Sequence, residues 1–210
     1  MVRDMSGEGV ERHVLSRRMV LRSRGDERKV RRLVDELRMV PLGEERPAAA
    51  LLQRSWQMSP GVFFQALTDE RADATAVVLV GDDQEQVARF AELVERFVQP
   101  LTDEELLAAI TSARTATERA RAVLTSGLGA PFAYDARYFE RITAAMFDKD
   151  REVRAAGLAA SSYAFWPQYL EPLAAMAEFD EDPVLREDAG VALEARYDAP
   201  DVRTEGEEDG

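Results

Sequence analysis

The chain has 210 residues, with 27 Lys and Arg against 40 Asp and Glu, for a formal net charge of −13. Its 46% hydrophobic content excludes a wholly disordered chain, because enough apolar surface exists to offset the ordering entropy. The acidic balance argues against non-specific binding to nucleic acid, since such a surface is repelled by phosphate.

No cysteine is present and there is a single histidine, His13, so disulfides, thiolate chemistry and imidazole-based zinc sites or triads are close to excluded. There is no apolar run of about 18 residues, so no transmembrane helix is expected. The start of the chain shows no apolar signal segment, which predicts a cytoplasmic location. Charge is unevenly spread: residues 1–38 carry a net +4 and the remainder −17. Residues 1–25 accordingly read as a flexible basic arm that includes His13.

Taken in chain order, the signals are predominantly helical. Asp26 is an N-cap candidate, followed by an amphipathic stripe of Val30, Leu33, Val34 and Leu37. Pro41 and Gly43 stop that helix, and Pro47 suits the first turn of a second one over 48–58, which ends at Ser59-Pro60-Gly61. A short third helix is expected over 62–67, with Trp56, Phe63 and Phe64 in the core. The run Ala76–Val80 is the one strand-like segment. Without a visible partner a lone strand is unstable, so it reads as a buried helix.

Asp82 or Asp83 caps the next helix, which carries Val87, Phe90, Ala91, Val94 and Val98 and breaks at Pro100. Thr102 and Glu105 have the spacing of a capping box. Helices follow at about 115–128, 133–147, 150–163 and 167–179, and after Asp182-Pro183. Residues 198–210 read as an acidic disordered tail.

The main pattern is a repeat. Phe147-Asp148-Lys149-Asp150 recurs 32 residues later as Phe179-Asp180-Glu181-Asp182, each copy followed by an apolar residue and Arg (Val153-Arg154, Leu185-Arg186). Gly157 and Ala160 are matched by Ala189 and Ala192. Asp148, Asp150, Asp180 and Asp182 suit the positive ends of helices, and Arg154 and Arg186 can reach carbonyls or the aspartate of an adjacent turn. The small residues permit close helix approach. Weaker copies extend backwards through Ala120, Leu124 and Gly127, and through Val87, Ala91 and Val94.

This D-x-D-x-x-V-R-x-x-(A/G)-x-x-A pattern at 148–160 and 180–192 resembles HEAT repeats, in particular the short bacterial type also found in phycobilin lyases. The resemblance implies an all-α fold over residues 26–197, an α-solenoid of stacked antiparallel helix pairs of about 32–33 residues. It says little about activity.

No cofactor and no metal are expected. The Asp-x-Asp pairs serve as caps rather than converging oxygens on a point. Tyr134, Tyr138 and Arg141 share a helix face, and Trp166 and Tyr169 lie in the next inter-helix segment. Together with Arg137 these are the candidate partner-binding residues, because Tyr, Trp and Arg dominate interface anchors. The expected function is a non-catalytic scaffold that binds another protein. Two alternatives are a DNA glycosylase-type enzyme, which the charge opposes, and a phycobilin-lyase-like chromophore binder.

Overall fold

The computed structural model describes residues 13–23 and 26–197. The first 12 residues of the expected arm and the expected tail at 198–210 lie outside them. The chain divides into two compact units, 1–105 and 106–210. The first contains an antiparallel β-sheet, which overturns the all-α solenoid expected over 26–197.

The sheet strands are β1 (Val14–Leu15), β2 (Met19–Val20), β3 (Val40–Ala48), β4 (Leu51–Ser59), β5 (Val62–Asp69) and β6 (Ala74–Gly81). β3 to β6 form a meander, and β1 and β2 both pair with β6 on its other side. Residues 13–21 thus form one interrupted edge strand, not a flexible arm. Val14 opposes Gly81 and Met19 opposes Val77, with Ser16 bridging the interruption through its backbone N–H to the Leu79 carbonyl. His13 Nδ1 lies 2.8 Å from Asp82 Oδ1.

Two helices cover one sheet face: α1 (Glu27–Glu36) and α2 (Gln84–Val98). Val30 and Leu33 of α1 and Val87, Val94 and Val98 of α2 share a core with Met19, Phe64, Ala66, Val77 and Leu79. The registers explain the choice of side chains. Phe64 pairs with Leu79 on one side and Trp56 on the other, and alternation places all three on the helix-covered face.

The expected helices over 48–58, 62–67 and 76–80 are therefore β4, β5 and β6, and each error has a local cause. Ser59-Pro60-Gly61 is a hairpin turn, with Gly61 at φ +73°, and not a helix stop. β6 is central and buried on both faces, including Ala76, Val77, Val78 and Leu79, so it reads as an unbroken apolar run. β3 is exposed along its whole length and holds Pro41 and Pro47, which are tolerated at an edge. Phe64 is core as expected. Phe63 lies on the opposite face and is only half-buried, and Trp56 packs against the core from the edge of the helix-covered region.

α3 (Asp103–Ser112) leads into the helical unit. Thr102 and Glu105 form a reciprocal capping box: Glu105 N–H donates to Thr102 Oγ1 at 3.2 Å, and Thr102 N–H to Glu105 Oε2 at 2.9 Å. The unit continues with α4 (Ala116–Gly129), α5 (Ala136–Met146), α6 (Arg151–Ser161), a 3-10 turn at Pro167–Tyr169, α7 (Leu170–Phe179) and α8 (Pro183–Tyr197). α4 packs on α6, α5 on α6 and α7 on α8. Two glycines permit this. A Cβ on Gly157 would sit 2.5 Å from the Met146 backbone nitrogen, and one on Gly127 would sit 2.7 Å from the Ala160 Cβ. No helix among the described residues is long and apolar enough to cross a membrane.

Candidate functional site

The aromatic end of the helical unit is built where α4 hands over to α5 and α6 to α7. Trp166 and Tyr169 are stacked, with centroids 5.6 Å apart and planes at 8°. Trp166 Nε1–H donates to the Phe132 carbonyl at 3.0 Å, which ties the two inter-helix segments together. Tyr134 meets the Trp166 edge at 5.4 Å and Phe139 at 5.7 Å, and Phe139 meets Tyr169 at 5.2 Å. Arg196 of α8 closes the cluster. Its guanidinium carbon lies 5.2 Å from the Phe165 ring centre and 5.8 Å from that of Tyr169. Arg196 also donates to the carbonyls of Ser161 at 2.7 Å and Ala192 at 3.1 Å.

This geometry sorts the candidate partner-binding residues. Tyr138, Trp166 and Tyr169 are buried and serve the core, so they present no surface to a partner. Tyr134 is exposed, as are Arg137 and Arg141. Arg137 is engaged with Asp135 at 2.7 Å, and its guanidinium holds the Asp135 carboxyl below the usual carboxylate range. Phe132 and Phe165 are further exposed rings in these two inter-helix segments, at 44% and 62% exposure. Phe132 follows Pro131 in a short connection, where periodicity gives no signal. Burial raises the Tyr169 hydroxyl above its ordinary pKa, and among the described residues neither that hydroxyl nor Arg196 Nε has a hydrogen-bond partner. Burial likewise lowers the Arg196 guanidinium.

The repeat residues sit at the opposite end of α5 to α8. Arg154 is nearly buried and fully engaged. It donates from Nε to Asp180 Oδ2 at 2.9 Å, from Nη2 to Glu181 at 2.8 Å, and from Nη1 to the Asp148 and Lys149 carbonyls, each at 3.2 Å. This contact raises the guanidinium's pKa further. Asp148 accepts from Arg119 at 2.9 Å and from the Asp150 N–H at 2.9 Å. Burial pulls the Asp148 carboxyl upward, but those donors outweigh it and leave it below the ordinary range. Asp180 accepts from the Asp182 N–H at 2.8 Å, and Asp182 from the Val184 and Leu185 N–H groups. Asp182 also pairs with Arg151, which lowers its pKa. Asp150 precedes α6 but its side chain makes no cap hydrogen bond. Phe147 and Phe179 are exposed beside these turns, at 53% and 74%, and line a groove of about 420 Å³ with Arg154 and Glu181.

The sheet unit has its own groove, of about 280 Å³, between α1 and the uncovered part of the sheet. Glu27, Val30 and Arg31 face Arg54, Trp56, Thr68 and Thr75 across it. Thr75 donates to Glu27 at 3.2 Å and lies 2.9 Å from the Thr68 hydroxyl. Among the described residues, no group of three or more His, Cys, Asp and Glu could hold a metal ion.

No family model, no curated protein and no solved structure matches this chain.

Proposed function

We propose that this chain is a non-catalytic scaffold that binds another protein through the aromatic end of its helical unit. One observation carries the reading: Phe132, Tyr134 and Phe165 are exposed around a buried, stacked Trp166–Tyr169 pair. Exposed aromatic rings on a rigid base contribute large contact area at small entropic cost, which is the composition of interface hot spots. The contrast within the chain supports it. Among the described residues the large exposed apolar side chains of the sheet unit are all aliphatic, whereas the helical unit exposes six aromatic rings. The glycosylase-type and chromophore-binding alternatives rest on an all-α solenoid over 26–197, which the sheet overturns, and neither is retained.

A photo-crosslinking residue placed at Tyr134 tests the proposal in native lysate. The expected result is one discrete protein adduct, lost when Phe132 and Phe165 are both changed to Ser. The absence of a discrete adduct overturns it. So does an identical adduct pattern from a crosslinker at the exposed Arg89 of α2.

A further inference from the structure

The 32-residue repeat allows α8 to be compared with α6, position by position. On α6, Arg154, Leu158 and Ser161 form a buried stripe at i, i+4 and i+7. The α7–α8 pair meets this stripe in two ways. Asp180 and Glu181, in the turn before α8, take the Arg154 guanidinium, and Arg196, late in α8, donates to the Ser161 carbonyl.

Thirty-two residues on, the same stripe on α8 is Arg186, Gly190 and Leu193, continued by Tyr197. Arg186 keeps one of its counterpart's two kinds of contact, that to backbone carbonyls. Its Nη1 donates to the Asp180 carbonyl at 2.5 Å, as Arg154 Nη1 does to that of Asp148. Among the described residues no carboxylate occupies the place that Asp180 fills for Arg154. A Cβ on Gly190 would meet nothing within 4 Å, and Tyr197 is 70% exposed. The α8 stripe is therefore half-open, with its guanidinium already oriented by a backbone carbonyl.

We infer that this stripe is a docking surface for a pair of helices from a different protein, bearing an aspartate or glutamate in its inter-helix turn. The carboxylate meets Arg186 as a charge-assisted, fork-shaped pair, apolar side chains cover Leu193 and Tyr197, and the missing side chain at Gly190 permits close approach. A cation late in the second helix of the partner completes the match at the Leu193 carbonyl, as Arg196 does at Ser161. Charge excludes a second copy docked in the same sense. Its first inter-helix turn is Ala113-Arg114-Thr115, which brings an arginine to Arg186. This surface is separate from the aromatic end, and the inference stands whether or not that end binds a partner.

The test uses the full chain and the one occupant whose fit is already visible. A second copy of residues 166–197 is joined after Gly210 through a flexible glycine-serine linker, which holds it at high effective concentration. Hydrogen exchange is then measured on the copied helices. The expected result is protection of the copy. Replacing its aspartate, the counterpart of Asp180, by Asn removes that protection, and so does Arg186→Met. The two changes together remove no more than either alone, as coupled partners require. An unprotected copy, or protection indifferent to Arg186→Met, overturns the inference. So does an unextended chain that Arg186→Met destabilises as much as the extended one, because Arg186 is then already satisfied within the chain. Self-association of the unextended chain, abolished by Arg186→Glu, also overturns the assignment to a different protein.

Discussion

The sheet unit and the helical unit are stabilised by different physics. The sheet unit depends on apolar contacts between residues far apart in sequence: Met19, Phe64, Leu79 and Val94 meet in one core. The helical unit depends on joints between its successive inter-helix turns. These include Arg119 with Asp148, Arg151 with Asp182 and Arg154 with Asp180, and glycines where helices touch. A joint of the second kind is written into a short stretch of sequence. A core of the first kind is not, which explains why the helices of the second unit show in the sequence and the strands of the first do not.

The largest effects separate these two designs directly. Phe64→Ala should cost about 3–5 kcal/mol, through lost burial and the cavity left behind. Arg154→Met should cost a similar amount, about 3–5 kcal/mol, for another reason: it strands the Asp180 carboxylate, whose side chain is 3% exposed. The distinction appears on rescue. Asp180→Asn added to Arg154→Met should restore much of the loss in a urea titration, whereas no second change near Phe64 does so short of refilling its volume. Equal costs for the Arg154 single and double variants would refute the ionic account of this joint.

A smaller effect tests the close approach of helices. Gly157→Ala should cost about 1–3 kcal/mol, because the new methyl meets the backbone of Ala145 and Met146. Gly190→Ala lies in open space within a helix and should stabilise the chain by about 0.5–1 kcal/mol. Thermal unfolding of both variants, shifting in opposite directions, is the expected outcome.

The smallest effect is acid sensitivity. Asp135, Asp148 and Asp182 of the helical unit have lowered pKa values in the folded chain. A lowered carboxylate stabilises the fold at pH values above its unfolded pKa of about 3.9, and that stability is lost as pH falls through the folded value. The sheet unit has Glu105, lowered by Arg22 and the Thr102 N–H. Helical circular dichroism should therefore melt at a lower temperature at pH 3 than at pH 7. Sheet-unit amides, followed by hydrogen exchange, should lose less protection over the same interval.

The legibility of the sequence follows the same division. The stripe Val30, Leu33 marks α1, Asp83 caps α2 by accepting from the Gln86 N–H, and Thr102 with Glu105 marks α3, all from contacts within a few residues. The repeat at 148 and 180 located the turns that start α6 and α8. The strands left weaker traces. β5 reads Val-Phe-Phe-Gln-Ala-Leu, and Phe63 and Leu67 on its second face hide the alternation. β4 alternates only partly and β3 hardly at all, because both lie towards the open edge of the sheet. The aromatic end was half legible. The residue types in 134–169 pointed to the right region, but spacing could not tell the exposed Tyr134 from the buried Tyr138 and Tyr169.

Local pattern sufficed for the helices from α2 onwards, for the caps at Asp83 and Thr102 and for the turns at 148 and 180, because each depends on neighbours in the chain. That 40–81 is a sheet emerges only from the folded chain, since a strand exists through its partner and Ala76–Val80 has none within reach of local pattern. The tertiary structure also decided which aromatic rings face outwards. And it distinguished Arg154, closed by Asp180, from Arg186, whose sequence context is nearly the same and which no carboxylate meets among the described residues.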